Sequence, residues 1–185
     1  EELNPKRLSL LKEAVPSMRR VGVLLRRDFP NVATADHDWQ VVEAAARQLE
    51  LKLVRLDTGS TDEINAAFEQ TSAKHVGGIM TFRNPTVVTY LRQITGLCQK
   101  YRLPAVFDSS EYAEAGGMLS YGPNINATYG QLARYVTKLM HGTPPGELPI
   151  EQPTKFELVI NKRAADAIGV TVPIDLLTRA DKVIQ

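Results

Sequence analysis

The chain has 185 residues, of which 43% are hydrophobic, and its 22 basic and 21 acidic residues leave a formal net charge of +1. That length allows one domain with a buried core, while the balanced charge argues against a general nucleic-acid-binding surface, which needs a concentrated basic face. No apolar run approaches the roughly 20 residues that span a bilayer, and no signal peptide is visible at the start of this chain.

Strand and helix patterns alternate through the first two thirds of the chain. Helical spacing predicts helices over residues 5–15, 36–49 and 86–101, and another behind the capping box Ser60-Thr61-Asp62-Glu63, with Ile64, Ala67, Phe68 and Thr71 facing inward. Apolar runs predict strands over residues 21–25, 52–56, 76–80, 104–107 and 118–120. Parallel strands need such crossover helices. We therefore predict an α/β fold, a Rossmann-like parallel sheet of five to six strands with helices on both faces.

The last third has a different layout. A helix is predicted over residues 125–140, with an apolar face that includes Tyr129, Leu132 and Val136. It ends at Gly142, and a Pro-Gly break follows over residues 143–146. A sixth strand is predicted over residues 156–160, and two short helices over residues 161–168 and 174–181.

Motifs for catalysis or metal binding are missing from the sequence. His37, His75 and His141 are far apart, and the chain contains no HExxH, paired CxxC, GxGxxG, P-loop or GxSxG motif. The single cysteine, Cys98, lies in an apolar helical series and is predicted to be a buried core residue rather than a reactive thiol. These residues indicate no catalytic or metal-binding site, and we predict neither a cofactor nor a metal.

Polar side chains collect in the loops that follow the predicted strands. In an open parallel sheet, ligands bind beyond the carboxyl ends of the strands, and hydroxyls, amides, a few charges and an aromatic ring suit a small polar ligand. The candidate ligand-binding residues are Phe29, Asn31, Thr58, Thr81, Arg83, Asn84, Asp108, Ser109, Ser110 and Tyr121. Arg83 is the candidate partner for a ligand carboxylate, and Phe29 for packing on the ligand. Helix capping is the alternative role for the Asp, Ser, Thr and Asn members of this set.

Several longer segments carry a family resemblance. They are residues 6–13, 20–24, 103–107, 114–122, 152–161, 167–173 and 176–181. Through them the chain resembles the ABC-transporter substrate-binding proteins, a family that includes tryptophan and tyrosine receptors of the type I periplasmic-binding fold. The resemblance implies the solute-binding component of an importer, located in the periplasm or otherwise outside the cytoplasmic membrane. Such a receptor closes two α/β lobes on an amino acid or similar small molecule and delivers it to a permease. The resemblance thus also implies a protein that is not an enzyme.

The resemblance also implies a second lobe ahead of residue 1. We accordingly predict that residues 1–122 form an α/β lobe, that 123–149 form a crossover helix and linker packed on the other lobe, and that 150–185 bring the chain back. Without that lobe the apolar face of the crossover helix needs another cover. We predict a homodimer through this helix or through the open cleft face.

Two other functions fit the same pattern of strands and helices. One is a sensory or regulatory ligand-binding module of the same fold, attached to a different output domain. The other is a phosphoacceptor or flavodoxin-like domain, since Asp57 and Asp108 both end strands. The second is disfavoured because Arg26-Arg27-Asp28 lacks the clustered acids that hold Mg²⁺ beside a phosphorylated aspartate.

Overall fold

A seven-stranded sheet organises the structure, a computed structural model that describes residues 3–25, 32–82, 85–153 and 155–185. The strands are β1 (Arg20–Leu25), β2 (Lys52–Asp57), β3 (Gly78–Thr81), β4 (Ala105–Phe107), β5 (Leu119–Pro123), β6 (Phe156–Asn161) and β7 (Lys182–Ile184). Their order in the sheet is β2-β1-β3-β4-β5-β6-β7. Strands β1 to β5 are parallel, whereas β6 runs antiparallel to β5, and β7 runs parallel to β6.

Helices connect the strands. They are α1 (Leu3–Ala14), α2 (Val32–Gln48), α3 (Thr61–Ala73), α4 (Pro85–Thr89), α5 (Leu91–Lys100), α6 (Ser110–Glu114), α7 (Ile125–Met140), α8 (Lys162–Ala167) and α9 (Ile174–Thr178), with a 3₁₀ turn at Pro145–Glu147. The predicted helix over residues 86–101 is divided at Tyr90 into α4 and α5. The N-cap of the predicted capping box is confirmed, because the Ser60 hydroxyl accepts from the Glu63 N–H, whereas the Glu63 carboxylate accepts from the N–H of Gly59, one residue before the cap, at 2.6 Å.

Each face of the sheet carries its own hydrophobic core. On one face, α1, α2 and α9 pack on the sheet through residues such as Leu8, Val42 and Leu176. On the other face, α3, α5 and α6 pack through residues such as Phe68 and Ile94. The four inward residues predicted for α3 are the four that are buried. The predicted α/β class with helices on both faces is therefore confirmed.

The carboxyl-terminal part of the sheet differs from the prediction. The described sheet has seven strands rather than five or six, because the predicted helix over 174–181 stops at Thr178 and the chain then adds β7. The sheet is also not wholly parallel. The chain leaves β5 and re-enters β6 at the same edge, with Pro123 opposite Phe156, so β6 can only run in the reverse direction.

Burial determines the reactivity of Cys98, which lies on α5 and is 4% exposed, as predicted. Burial raises the pKa of its thiol, so the reactive thiolate is disfavoured well above neutral pH. We expect iodoacetamide at pH 8 to leave the folded chain unmodified and to label it once in urea, as measured by intact mass. Labelling of the folded chain at the rate of an unfolded control would contradict this.

Candidate functional site

The carboxyl ends of β1 to β5 meet along one edge of the sheet, because these strands are parallel. Four of the predicted ligand-binding residues, Phe29, Asn31, Arg83 and Asn84, lie outside the described residues. The other six are described: Thr81 ends β3, Tyr121 lies within β5, and Thr58, Asp108, Ser109 and Ser110 follow β2 or β4. The fold therefore brings these six to a common edge.

Two of the six side chains hold the local backbone. The Thr58 hydroxyl is fully buried and donates to the Leu25 carbonyl at 2.9 Å, which ties the end of β2 to the end of β1. The Ser109 hydroxyl caps α6 by accepting from the Glu111 N–H at 3.4 Å. Only the Ser109 bond matches the helix-capping alternative, since Thr58 joins two strands, and Ser110, the first residue of α6, remains half-buried.

Two buried hydroxyls flank Phe107 in the sheet. Thr81 ends β3 on one side of β4, and Ser120 pairs with Phe107 from β5 on the other side. Both residues are almost fully buried, and neither side-chain oxygen has a hydrogen-bond partner among the described residues. Burying a hydroxyl without a hydrogen-bond partner is unfavourable, and most buried polar groups in proteins have one. The hydroxyls of Thr81 and Ser120 are therefore candidates for hydrogen bonds to a ligand. Ser120 was not among the predicted residues because it was assigned to the predicted strand over 118–120, and the candidates were taken from the loops after the strands.

The start of α1 brings a buried arginine to the same edge. Arg7 is 5% exposed, and its guanidinium donates from Nε to the Tyr121 carbonyl at 2.7 Å and from Nη1 to Asn4 Oδ1 at 2.5 Å. Asp108 is also buried. Gly122 lies close to both residues, because a Cβ added to it would overlap the Asp108 carbonyl oxygen and would lie 3.7 Å from Arg7 Nη2. The charged Arg7 guanidinium thus bonds to the backbone of β5 near the carboxyl end of that strand.

Sequence reasoning missed Asn4 and Arg7 as site residues. Both precede the first strand, and only the packing of α1 across the sheet brings them to the ends of β4 and β5. The sequence spacing could have indicated that Asn4 and Arg7 are buried, because they lie on the same side of α1 as Leu8 and Leu11. All four residues are buried in the structure. A polar residue inside a buried stripe needs partners, which makes it a candidate for a structural or binding role.

An aromatic pair marks the outer end of β5. Tyr121 is half-buried, and its ring lies 6.3 Å from the ring of Phe156 at an angle of 31°. Phe156 is 39% exposed. The pair leaves part of an aromatic surface uncovered at the point where the chain departs toward α7.

The segment that includes α7 extends away from the sheet. Among the described residues from 123 to 157, none is buried. Its large apolar side chains are between 41% and 100% exposed: Tyr129, Leu132, Val136, Leu139, Met140 and Ile150. An apolar face of this size on a helix marks a contact surface, because soluble proteins rarely leave one open.

A separate groove of about 540 Å³ lies at the outer strand of the sheet. It is formed by β2, the loop after it and α3, and its lining includes Asp57, Ser60, Glu63 and Lys74. β1 separates β2 from β3, so this groove lies two strands from Thr81.

Metal-ligating side chains do not cluster in the described part of the chain, where no three His, Cys, Asp or Glu residues are close enough to hold an ion. Of the helices in the described ranges, none combines the length and apolar character needed to cross a membrane.

Comparison with known proteins gives consistent results. A family model described as ABC transporter substrate binding protein matches residues 1–184. A conserved domain protein from Vibrio cholerae is 25% identical, with a TM-score of 0.82 over 97% of this chain and 60% of that one. A Streptococcus pneumoniae ABC domain solved in complex with L-Trp is 21% identical, with a TM-score of 0.82 over 98% of this chain and 62% of that one.

A ligand-free, open substrate binding protein with adhesive properties from Clostridium difficile is 16% identical, with a TM-score of 0.68 over 97% of this chain and 59% of that one. The two structures below 25% identity share the fold. The chain spans about three fifths of the length of these solved proteins. No curated protein matches the chain in sequence.

Proposed function

The chain belongs to the ABC transporter substrate binding protein family, and on that basis we propose that it is the solute-binding component of an ABC importer. It binds a small molecule in the cleft between two α/β lobes outside the cytoplasmic membrane and delivers it to a permease. It catalyses no reaction. The observation that carries the proposal is the family match over residues 1–184.

The geometry supports half of such a cleft. The carboxyl ends of five parallel strands bring polar side chains to one edge, which is where open α/β sheets bind ligands. We propose that this lobe's ligand contacts come from the ten predicted residues, with Thr58 and Ser109 supporting the edge through their bonds to the backbone and Ser110 and Tyr121 the most accessible of those described. A good site covers most of its ligand, so a second lobe is needed to complete it.

An amino acid is the solute class that we propose. The support comes from the Streptococcus pneumoniae protein solved with L-Trp, whose fold matches nearly the whole of this chain. The edge also fits the chemistry of an amino acid. A buried carboxylate at Asp108 suits an ammonium group, and the tyrosine at position 121 suits an apolar side chain.

A thermal-shift screen on the two-lobed receptor tests the function. A ligand that binds only the folded state stabilises it by about 2.7 kcal/mol at a hundred times its Kd. We expect L-tryptophan, L-tyrosine or a branched amino acid to raise the unfolding midpoint by about 5–10 °C. The D-enantiomer of the active compound is the matched control and is expected to give no rise. A flat response to all twenty L-amino acids by a folded receptor would refute the amino-acid assignment.

A further inference from the structure

The end of the sheet opposite the candidate site carries a row of loops. Strands β1 to β4 are parallel, so all four begin at this end. The Lys52 N–H donates to the Arg19 carbonyl and the Gly77 N–H to the Arg20 carbonyl, both at 2.9 Å, which ties the loops before β2 and β3 to the start of β1. The row crosses four adjacent strands and is therefore about 14 Å wide.

Seven cations that form no ion pair with a described residue lie in these loops or in the helical turn before them. We call them the basic face: Lys12, Arg19, Arg20, Lys52, Lys74, Lys100 and Arg102. The same stretches hold two acids, Glu13 and Glu50, and Glu13 already pairs with Arg179 at 2.8 Å. The whole chain is nearly neutral, but this end of it is therefore strongly positive.

Other exposed cations are neutralised by their neighbours. Carboxylates pair with five of them: Arg47, Arg55, Lys162, Arg179 and Lys182. In the basic face the bonds go to carbonyl groups instead, since Lys12 Nζ donates to the Pro16 and Met18 carbonyls at 2.8 Å. Desolvation and the nearby charge of Arg19 lower the pKa of Lys12, and the charge of Glu50 opposes them. The positive charges of the face are therefore close together and largely uncompensated.

The basic face is open to solvent. Arg19, Lys52, Lys100 and Arg102 are exposed, and the other three are half-buried. None of the exposed large apolar side chains in the described part of the chain lies in this face. The second lobe of the proposed receptor belongs at the opposite end of the strands, about 17 Å away along β1, so it leaves the face uncovered. A partner of this face therefore binds through charge alone.

We propose that the basic face binds the anionic phospholipid surface of a membrane, with the ligand-binding edge directed away from it. Clusters of about four to eight Lys and Arg residues bind membranes that carry anionic headgroups. The face is about 14 Å wide, and the Debye length in physiological salt is about 8 Å, so neighbouring cations act together on one patch of lipid.

Nucleic acid also presents repeated phosphate groups, but two observations favour lipid. The proposed location outside the cytoplasmic membrane brings an anionic lipid surface within reach, and on this point alone the inference rests on the proposed function. The face also offers no exposed Phe, Tyr or Trp on which bases could stack. Its one such residue, Tyr101, is half-buried, and Lys100 Nζ lies over its ring at 5.2 Å from the centroid.

Co-sedimentation of the 185-residue chain with vesicles tests the proposal. The probes are vesicles of phosphatidylcholine with about 30% phosphatidylglycerol and vesicles of phosphatidylcholine alone. We expect the chain to bind the anionic vesicles in about 0.05 M NaCl, to stay free of the neutral vesicles, and to dissociate in about 0.5 M NaCl. Absence of binding to anionic vesicles at low salt would overturn the proposal. Binding that persists at high salt would also overturn it, because the exposed apolar face of α7 would then be responsible.

The triple variant Lys52→Gln, Lys74→Gln, Lys100→Gln removes three charges of the basic face. Each Lys or Arg near an anionic surface contributes about a fivefold change in affinity, so we expect the partition coefficient on anionic vesicles to fall about 100-fold. The single variant Lys52→Gln, with an expected fall of about fivefold, decides the point if the triple variant does not fold.

The matched control is the triple variant Lys6→Gln, Arg92→Gln, Lys155→Gln. It removes the same charge from three exposed cations near the starts of α1, α5 and β6, at the ligand-binding end of the sheet. We expect its partition coefficient to stay within about threefold of wild type, because these charges lie more than a Debye length from the bound lipid. Equal losses from both triple variants would show that only net charge matters, and the basic face would then have no role.

A short DNA duplex decides between lipid and nucleic acid. Tighter binding of the duplex than of the anionic vesicles in the same buffer would overturn the lipid assignment. Vesicle binding is measured without a solute, so its failure would leave the proposed solute-binding function standing. A flat thermal-shift screen would likewise leave the vesicle result standing.

Discussion

Replacing Gly122 with alanine is expected to lower the free energy of unfolding by about 2–4 kcal/mol. An alanine Cβ would overlap the carbonyl oxygen of Asp108 and lie 2.9 Å from its carbonyl carbon. Backbone atoms of two paired strands cannot move apart as a side chain could, so either the β4–β5 pairing or the Arg7–Tyr121 bond has to break. We expect the thermal midpoint to fall by about 5–15 °C in calorimetry.

Gly130→Ala is the control for this substitution. Gly130 lies within α7, and a Cβ added there would meet no other atom within 4 Å. Alanine in a helix is favoured over glycine by about 1 kcal/mol, so stability is expected to stay the same or to rise slightly. If Gly122→Ala unfolds at the same midpoint as Gly130→Ala, the close approach at Asp108 is not a constraint on the fold.

The second large effect is expected from acidic residues on the apolar face of α7. Leu132 and Val136 are 50% and 55% exposed in this chain. Replacing both with aspartate is therefore expected to change its stability by no more than about 1 kcal/mol in total, about 0.5 kcal/mol for each substitution. In the two-lobed receptor the same face is expected to be buried against the second lobe, where an unpaired charge is strongly unfavourable. There we expect ligand affinity to fall more than tenfold and the unfolding midpoint to drop.

Arg134→Asp with Lys138→Asp provides the control. It places the same residue type at the same spacing on the opposite side of α7, and both positions are exposed. These substitutions are expected to leave the affinity of the receptor within about twofold. Equal losses of ligand affinity from the two double substitutions would show that added negative charge on any side of α7 weakens binding. The apolar face would then have no special role.

Light scattering decides whether a second copy covers this face in the 185-residue chain. The predicted homodimer requires a mass of twice 20.5 kDa at high concentration. It also requires a return to single-chain mass in the Leu132→Asp, Val136→Asp variant. A single-chain mass for the wild type at high concentration would contradict the homodimer and leave the second lobe as the cover.

Local patterns in the sequence predicted most of the elements. The spacing of apolar residues predicted which residues of α3 are buried, the capping box predicted where it starts, and the series around Cys98 predicted its burial. The resemblance predicted the family, and the match over residues 1–184 confirms it. The buried residues and the start of α3 and the burial of Cys98 were accessible because each depends on residues within a turn or two of one another.

The candidate site was only partly accessible. The rule for open α/β sheets placed Thr58, Thr81 and Asp108 at one edge, and the fold puts them there. The rule does not predict that the Thr58 hydroxyl donates to the Leu25 carbonyl. Nor does it predict that the Ser120 hydroxyl is buried without a hydrogen-bond partner among the described residues. Both outcomes depend on which strands are adjacent in the sheet, and no single segment of the sequence determines that order.

By itself the sequence determined the α/β class and the alternation of elements, because hydrophobic period, caps and turns are properties of short segments, and its resemblance to known proteins indicated the family. Only the tertiary structure decided the reversed direction of β6, the presence of β7, and the meeting of Arg7 with Tyr121 across 114 positions of the chain. The physical reason is that strand pairing and burial are set by contacts between distant segments. Their free energies depend on the assembled sheet rather than on any local pattern.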